Sequence, residues 1–94
     1  MFKGLNPILH SELRLAVISL LISIQEADFM YIMEQTHSTA GNLGAQIEKL
    51  KKAGYIEVSK SFKGNRPCTT CKITPDGIKS FEEYVEALKS YIQK

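Results

Sequence analysis

The spacing of apolar residues changes period once along this chain, and that change narrows what it can fold into. Between Thr39 and Gly54, Leu43, Ile47 and Leu50 recur at steps of four and three, the spacing of a single buried stripe on an α-helix. From Tyr55 onward, Ile56, Val58 and Phe62 fall at even spacings, which is one face of a β-strand. Thr39 is a residue type that caps a helix start. Gly54 suits the left-handed position that ends one. Lys63-Gly64-Asn65-Arg66-Pro67 then reads as a hairpin tip, with Gly and Asn able to take positive φ. Cys68 to Ile73 reads as the returning strand.

The flanking segments are helical. From Pro7 to about Ile24, Leu13, Ala16, Val17, Leu20, Leu21 and Ile24 recur at three- and four-residue steps, with Leu15, Ile18 and Ile22 widening the apolar face. Ser11 supplies its N-cap and Glu12 a favourable first-turn charge, and such a helix is expected to be buried on most sides. Asp28 caps a short second helix with Phe29, Ile32 and Met33 on one face, ending near Thr36. His37 and Ser38 are left as a tight connection to the helix that starts at Thr39. Two helices joined in this way form a helix-turn-helix pattern. Thr74-Pro75-Asp76-Gly77 opens a last helix over 75–93, with Thr74 as cap and Pro75 in the first turn. Ile78, Phe81, Val85, Leu88 and Ile92 then follow a heptad seam, broadened by Tyr84 and Tyr91. The predicted order is helix, helix, helix, strand, wing, strand, long helix. This is a mainly α architecture with a small β wing (α+β), in one domain over 1–94. A further short strand near Gln25–Ala27 stays open.

At 94 residues and 10.6 kDa the chain has room for one modest core. Its 44% hydrophobic and 23% charged residues are those of a globular domain rather than a disordered one. Two cysteines exclude a disulfide-rich scaffold. The N-terminal residues show no signal-peptide pattern, and no segment is apolar for long enough to span a bilayer, so a cytoplasmic location and no membrane partner are expected. No Ser/His/Asp or Cys/His arrangement, phosphate loop or carboxylate pair points to catalysis, so neither enzyme activity nor a cofactor is expected. Cys68 and Cys71 invite a metal or redox reading, but residues three apart on a strand point to opposite faces, and His10 and His37 show no ligand spacing to them. Cys71, in phase with Ile73, reads as a small core residue, and Cys68 as a partly exposed thiol.

The formal charge of +2 conceals an uneven distribution: residues 1–36 carry −2, residues 37–67 carry +4 and residues 68–94 carry none. The basic excess lies entirely in the helix-turn-helix and hairpin segment, the footprint of a polyanion-binding surface. The stretch Thr39 to Ile56, the hairpin Ser61 to Thr70, the Thr74-Pro75-Asp76-Gly77 start and the opening Leu5 to Ser11 with Arg14-Leu15 together resemble small stand-alone winged-helix transcriptional regulators of the MarR/ArsR-like group. The resemblance covers nearly the whole chain. Ser38, Gly44, Gln46, Cys68 and Cys71 depart from that group's usual residues.

The resemblance implies a homodimer that binds double-stranded DNA, with the third helix in the major groove and the wing in the minor groove. With Leu43, Ile47 and Leu50 turned to the core, helical geometry turns Gly41, Asn42, Ala45 and Lys49 outward, with Gln46 at the edge. Asn42 and Gln46 are candidate adenine contacts, and Ala45 a thymine-methyl contact. Lys49 and Thr39 are candidate phosphate contacts. Gly41 and Gly44 would allow close backbone approach to DNA or to a neighbouring helix. On the wing, Arg66 is the candidate for the minor groove, with Asn65 at the tip and Lys60 and Lys63 on flanking phosphates. Ile78, Phe81, Tyr84, Val85, Leu88, Tyr91 and Ile92 form the expected dimer interface, with help from the first helix. Two alternatives stand beside this reading. One is a winged-helix protein-interaction module of a larger assembly. The other is a thiol- or metal-responsive regulator resting on the two cysteines.

Overall fold

In the computed structural model, which describes residues 4–92, the elements run α1 (Glu12–Ile24), β1 (Glu26–Asp28), α2 (Phe29–Thr36), α3 (Ala40–Lys52), β2 (Ile56–Lys63), β3 (Arg66–Ile73) and α4 (Pro75–Ile92). The strands form one antiparallel sheet in the order β1-β3-β2. This is the α+β winged-helix arrangement the periodicity predicts, and β1 answers the open question near Gln25–Ala27. At three residues β1 is too short to show a period. Its existence depends on β3, which supplies the pairs Glu26↔Lys72, Ala27↔Cys71 and Asp28↔Thr70. Gln25 delivers the chain into it from α1 with φ 74 and ψ −49, a tight γ-turn geometry that non-glycine residues rarely adopt. Its carbonyl accepts from the Ile73 amide at 3.0 Å.

Helix α1 starts at the expected cap, Ser11, with Glu12 in its first turn, while the periodic segment ahead of it, from Pro7, is a turn rather than helix. The Asn6 carbonyl accepts from the amides of Leu9 and His10, at 3.1 and 2.9 Å. The Asn6 side chain caps Ile8 at 2.9 Å and donates to the Tyr55 hydroxyl at 2.8 Å. An asparagine that satisfies its own following backbone stabilises a turn over a helix. So Pro7 lies in a turn, α1 begins only after Ser11, and Leu9 is driven fully into the core.

That core is built around α1. Val17, Ile18 and Leu21 meet Leu9, Ile32, the α3 stripe Leu43, Ile47 and Leu50, and Ile56, Cys71, Ile73 and Tyr84 from the sheet and α4. Each large aliphatic residue so buried contributes about 1.5–3 kcal/mol of transfer free energy. Leu15, Leu20 and Ile22 are half-buried against the cluster, whereas Ile24 is exposed. Among the described residues no helix is long and apolar enough to cross a membrane.

Two apolar expectations are corrected by the tertiary structure. Phe62 shares a strand face with Ile56 and Val58 but is 73% exposed. β1 stops pairing at Thr70, so the hairpin beyond it leaves the body and the Phe62–Pro67 pair stands exposed. On α4 the heptad seam divides. Gly77, Tyr84 and Ala87 are buried within the protomer, and Phe81 packs partly against the core. Ile78, Leu88 and Ile92 are exposed. Tyr84 is only 5% exposed, and its hydroxyl lies 3.1 Å from His10 Nδ1, tying α4 to the N-terminal turn. A helix that begins against the body at Gly77 must keep that side inward for several turns, which rotates part of the seam away from solvent.

The Gly77 contact is the tightest backbone approach at any glycine of the described chain. A Cβ there would lie 2.3 Å from the Tyr55 carbonyl oxygen and 2.8 Å from Ile73 Cδ1. At Gly44, within α3, a Cβ would meet nothing within 4 Å, so no neighbouring helix within the protomer requires a glycine there. Gly77→Ala is therefore expected to destabilise the protein by about 1–3 kcal/mol through overpacking. Gly44→Ala is expected to stabilise it by up to about 1 kcal/mol through helix propensity. Denaturant unfolding of the two variants beside wild type checks both signs.

Candidate nucleic-acid interface

The interface begins at the turn between α2 and α3. Asp28 caps α2 by accepting from the Tyr31 amide at 2.8 Å. The helix ends at His37, whose φ of 55 is left-handed. Thr36 Oγ1 donates to the Ile32 carbonyl at 2.7 Å and lies 2.8 Å from Ser38 Oγ, closing the turn. Thr39 Oγ1 then accepts from the Asn42 amide at 3.2 Å, the predicted cap. At the far end Tyr55 N–H donates to Leu50 and Gly54 N–H to Lys51, at 3.1 and 3.0 Å, with Gly54 at φ 81. That is a Schellman motif, and it turns the chain sharply into β2.

Because Leu43, Ile47 and Leu50 are buried, the opposite face of α3 is open. Thr39, Gly41, Asn42, Ala45, Glu48, Lys49 and Lys52 are exposed, and Gln46 is half-buried. Lys51 approaches Glu48 at 3.8 Å, with both side chains more than half exposed, a pair that contributes little.

The amides of α3 are not free rotors. Gln46 Nε2 donates to Asn42 Oδ1 at 3.0 Å, and Gln46 Oε1 accepts from an Arg14 guanidinium nitrogen. Arg14 Nε in turn donates to the Ile8 carbonyl at 2.6 Å. Arg14 is the site residue that apolar periodicity overlooked. A signal was present: it is the only cation of α1, on a helix expected to be buried on most sides, and a cation there needs oxygen partners.

The wing carries Lys60, Lys63, Asn65 and Arg66, all exposed. Its turn uses positive φ at Gly64 (φ 64) but not at Asn65, as in the hairpin turn with glycine first. Strand alternation puts Lys60 on the core-side face with Phe62, and Lys63 and Arg66 on the other face, directly opposite each other in the register. Like charges facing across a strand pair are destabilising by themselves, a cost that an anionic partner would relieve. Lys60 and Lys63 thus reach out from opposite sides of the hairpin. A groove of about 560 Å³ between the wing and the start of α2 is lined by Asp28, Phe29, Met30, Lys63, Arg66, Pro67, Cys68 and Thr69.

Cys71 is fully buried between Ala27 and Val58 on the core face. Burial pushes its thiol up to about 11. Cys68 is half-buried on the opposite face. The two thiols therefore share no site, and Cys71 is held protonated and shielded. Since the folded state raises this pKa, its contribution to stability is complete below pH 9 and is lost as pH rises from 9.0 to about 11. Unfolding free energy is expected to fall more steeply over that range in wild type than in Cys71→Ala. A thiol reagent at neutral pH should label Cys68 alone until the protein unfolds.

The family model for the winged helix DNA-binding domain matches residues 13–92. An uncharacterised protein of Methanocaldococcus jannaschii is 33% identical over 78 residues, covering 83% of this chain and 85% of its own. The structure of a transcriptional regulator homologue from Pyrococcus horikoshii superposes with a TM-score of 0.83 at 29% identity, covering 90% of this chain and 84% of that one. The Bacillus subtilis protein YusO shares the fold, with a TM-score of 0.76 at 18% identity over 95% of this chain and 59% of its own.

Proposed function

The chain belongs to the winged helix DNA-binding domain family, and we propose that it is a sequence-specific double-stranded DNA-binding transcriptional regulator that acts as a homodimer in the cytoplasm. The observation that carries this reading is the open face of α3, polar and capped at Thr39, beside a wing whose exposed cations Lys63 and Arg66 face one another across the strand pair. In this reading α3 lies in the major groove. Asn42 reads a base edge, Ala45 touches a thymine methyl, and Gln46 supports Asn42. Lys49 and the α3 N-terminus at Thr39 hold phosphates, and Gly41 lets the backbone approach them. Arg66 enters the minor groove with Asn65 beside it, while Lys63 and Lys60 reach phosphates on either side of the wing.

Dimerisation is proposed through the exposed ridge of α4, Ile78, Leu88 and Ile92, with the half-buried Val85 between them and Tyr91 at its edge. Ile92 is 75% exposed, and an apolar ridge of this length on a soluble protein calls for a cover. Phe81 and Tyr84 buttress the ridge from inside the protomer. Two-fold pairing would set two α3 helices about 34–36 Å apart, one turn of DNA.

Affinity for duplex DNA should fall steeply with rising salt, as counterion release requires. A flat response in an anisotropy titration would refute DNA as the partner. Lys49→Ala should weaken binding evenly across sequences, whereas Arg66→Ala should weaken it more on A·T-rich flanks, where the minor groove is narrow. Identical behaviour of the two variants would remove the distinction drawn between them. Sedimentation should find a dimer at micromolar concentration and a folded monomer for Leu88→Asp. A monomeric wild type would overturn the α4 assignment.

A further inference from the structure

The wing carries one large apolar side chain that the core does not use. Phe62 is 73% exposed, one strand pair back from the hairpin tip, with Pro67 opposite it in the register. Alternation along the strands puts this pair on one face with Lys60 and Thr69 and, further in, with Val58, Cys71, Ile56 and Ile73. Ile56, Cys71 and Ile73 meet Leu43, Ile47 and Leu50 of α3 in the core. The Phe62 face is therefore the side of the sheet on which α3 lies. Asp28, Lys63 and Arg66 belong to the other face. From Val58 to Pro75 the chain holds Lys60, Lys63, Arg66 and Lys72 and no carboxylate. We propose that Phe62, backed by Pro67, packs on a deoxyribose of the DNA strand that runs between α3 and the wing, with Lys60 on the adjoining phosphate. The proposal rests on the DNA-binding reading above and adds to it an apolar contact, insensitive to salt, that favours deoxyribose over ribose.

Two widths place the contact. The minor groove is about 6 Å wide. Two paired strands already stand about 4.8 Å apart before their side chains are counted. Only the tip, Gly64 to Arg66, fits into the groove, and the Phe62–Pro67 pair stops at its rim. That rim is sugar and phosphate. With α3 in the major groove, the strand that separates the two grooves passes between α3 and the wing, across the face that carries Phe62. The charge around the ring selects this occupant. A ring with a lysine on its own face and cations along its strand suits a polymer that alternates an anion with an apolar sugar edge. Deoxyribose presents a bare methylene at C2′. Ribose carries a hydroxyl there, the group by which proteins tell RNA from DNA. Pressed under a phenyl ring, that hydroxyl would lose water without gaining a partner.

The test is an anisotropy titration at several salt concentrations, on a labelled duplex that wild type selects from a randomised pool, with wild type, Phe62→Ala, Phe62→Leu and Lys60→Ala. Both side chains are exposed, so thermal unfolding should be alike for all four. Phe62→Ala should weaken binding about tenfold at every salt concentration and leave the salt slope unchanged, as loss of an apolar contact requires. Phe62→Leu should restore most of the affinity. Lys60→Ala should instead reduce the slope by about one per half-site. A single ribonucleotide walked along each strand should weaken wild type at one position per half-site and leave Phe62→Ala indifferent there. Unchanged affinity in Phe62→Ala, or a ribonucleotide penalty that Phe62→Ala keeps, would overturn the contact while leaving the DNA-binding reading in place. So would sedimentation of wild type as a species larger than a dimer that Phe62→Ala returns to a dimer, because a second copy would then be the cover. If wild type shows no salt-dependent duplex binding, or enriches no sequence from the pool, the reading beneath the inference falls and the inference with it.

Discussion

The polar face of α3 is open because α1 is buried. Val17, Ile18 and Leu21 occupy the centre, and every other element brings its apolar side to them: Ile32 from α2, Leu43, Ile47 and Leu50 from α3, Cys71 and Ile73 from β3, and Tyr84 from α4. The contact is non-directional in energy but not in consequence. Seating the α3 stripe on α1 fixes the rotation of α3, and that rotation alone leaves Asn42, Ala45 and Lys49 on the open side. The caps at Thr39 and Gly54 then fix where the helix begins and ends, so the polar face is set in length as well as direction.

The same centre governs the polar groups. Arg14 lies on α1, at the edge of the packed surface, and cannot escape fully to water. Its hydrogen bonds to Ile8 and Gln46 satisfy it there and, in doing so, join the N-terminal turn to the α3 surface. The wing is the opposite case. It extends past the last pair with β1, so Phe62, Lys63 and Arg66 lack the cover that a third strand would provide. An elongated outline of 54 × 24 × 21 Å, with a radius of gyration of 14.2 Å against about 12 Å for a compact chain of this length, fits a small core bearing projecting elements.

Much of this was legible in the residues. The α3 stripe, the caps at Asp28, Thr39 and Thr74, the left-handed Gly54 and the switch from helical to strand period are all local properties. Local stereochemistry and short-range hydrogen bonds decide them, and the structure repeats them residue by residue. The opposite facing of Cys68 and Cys71 is likewise a property of any extended strand.

What only the tertiary structure decided was anything that needed a distant partner. β1 exists because β3 passes beside it. Pro7 lies in a turn because Asn6 finds both its own backbone and Tyr55. The α4 seam divides because Gly77 sits against Tyr55 and Tyr84 reaches His10, which no heptad count contains. Arg14 joins the site through Gln46, 32 positions further along the chain. Periodicity reports which side of an element is apolar. It carries no information on which neighbour will cover that side or how far the cover extends, because burial is a property of two surfaces and the sequence displays them one at a time.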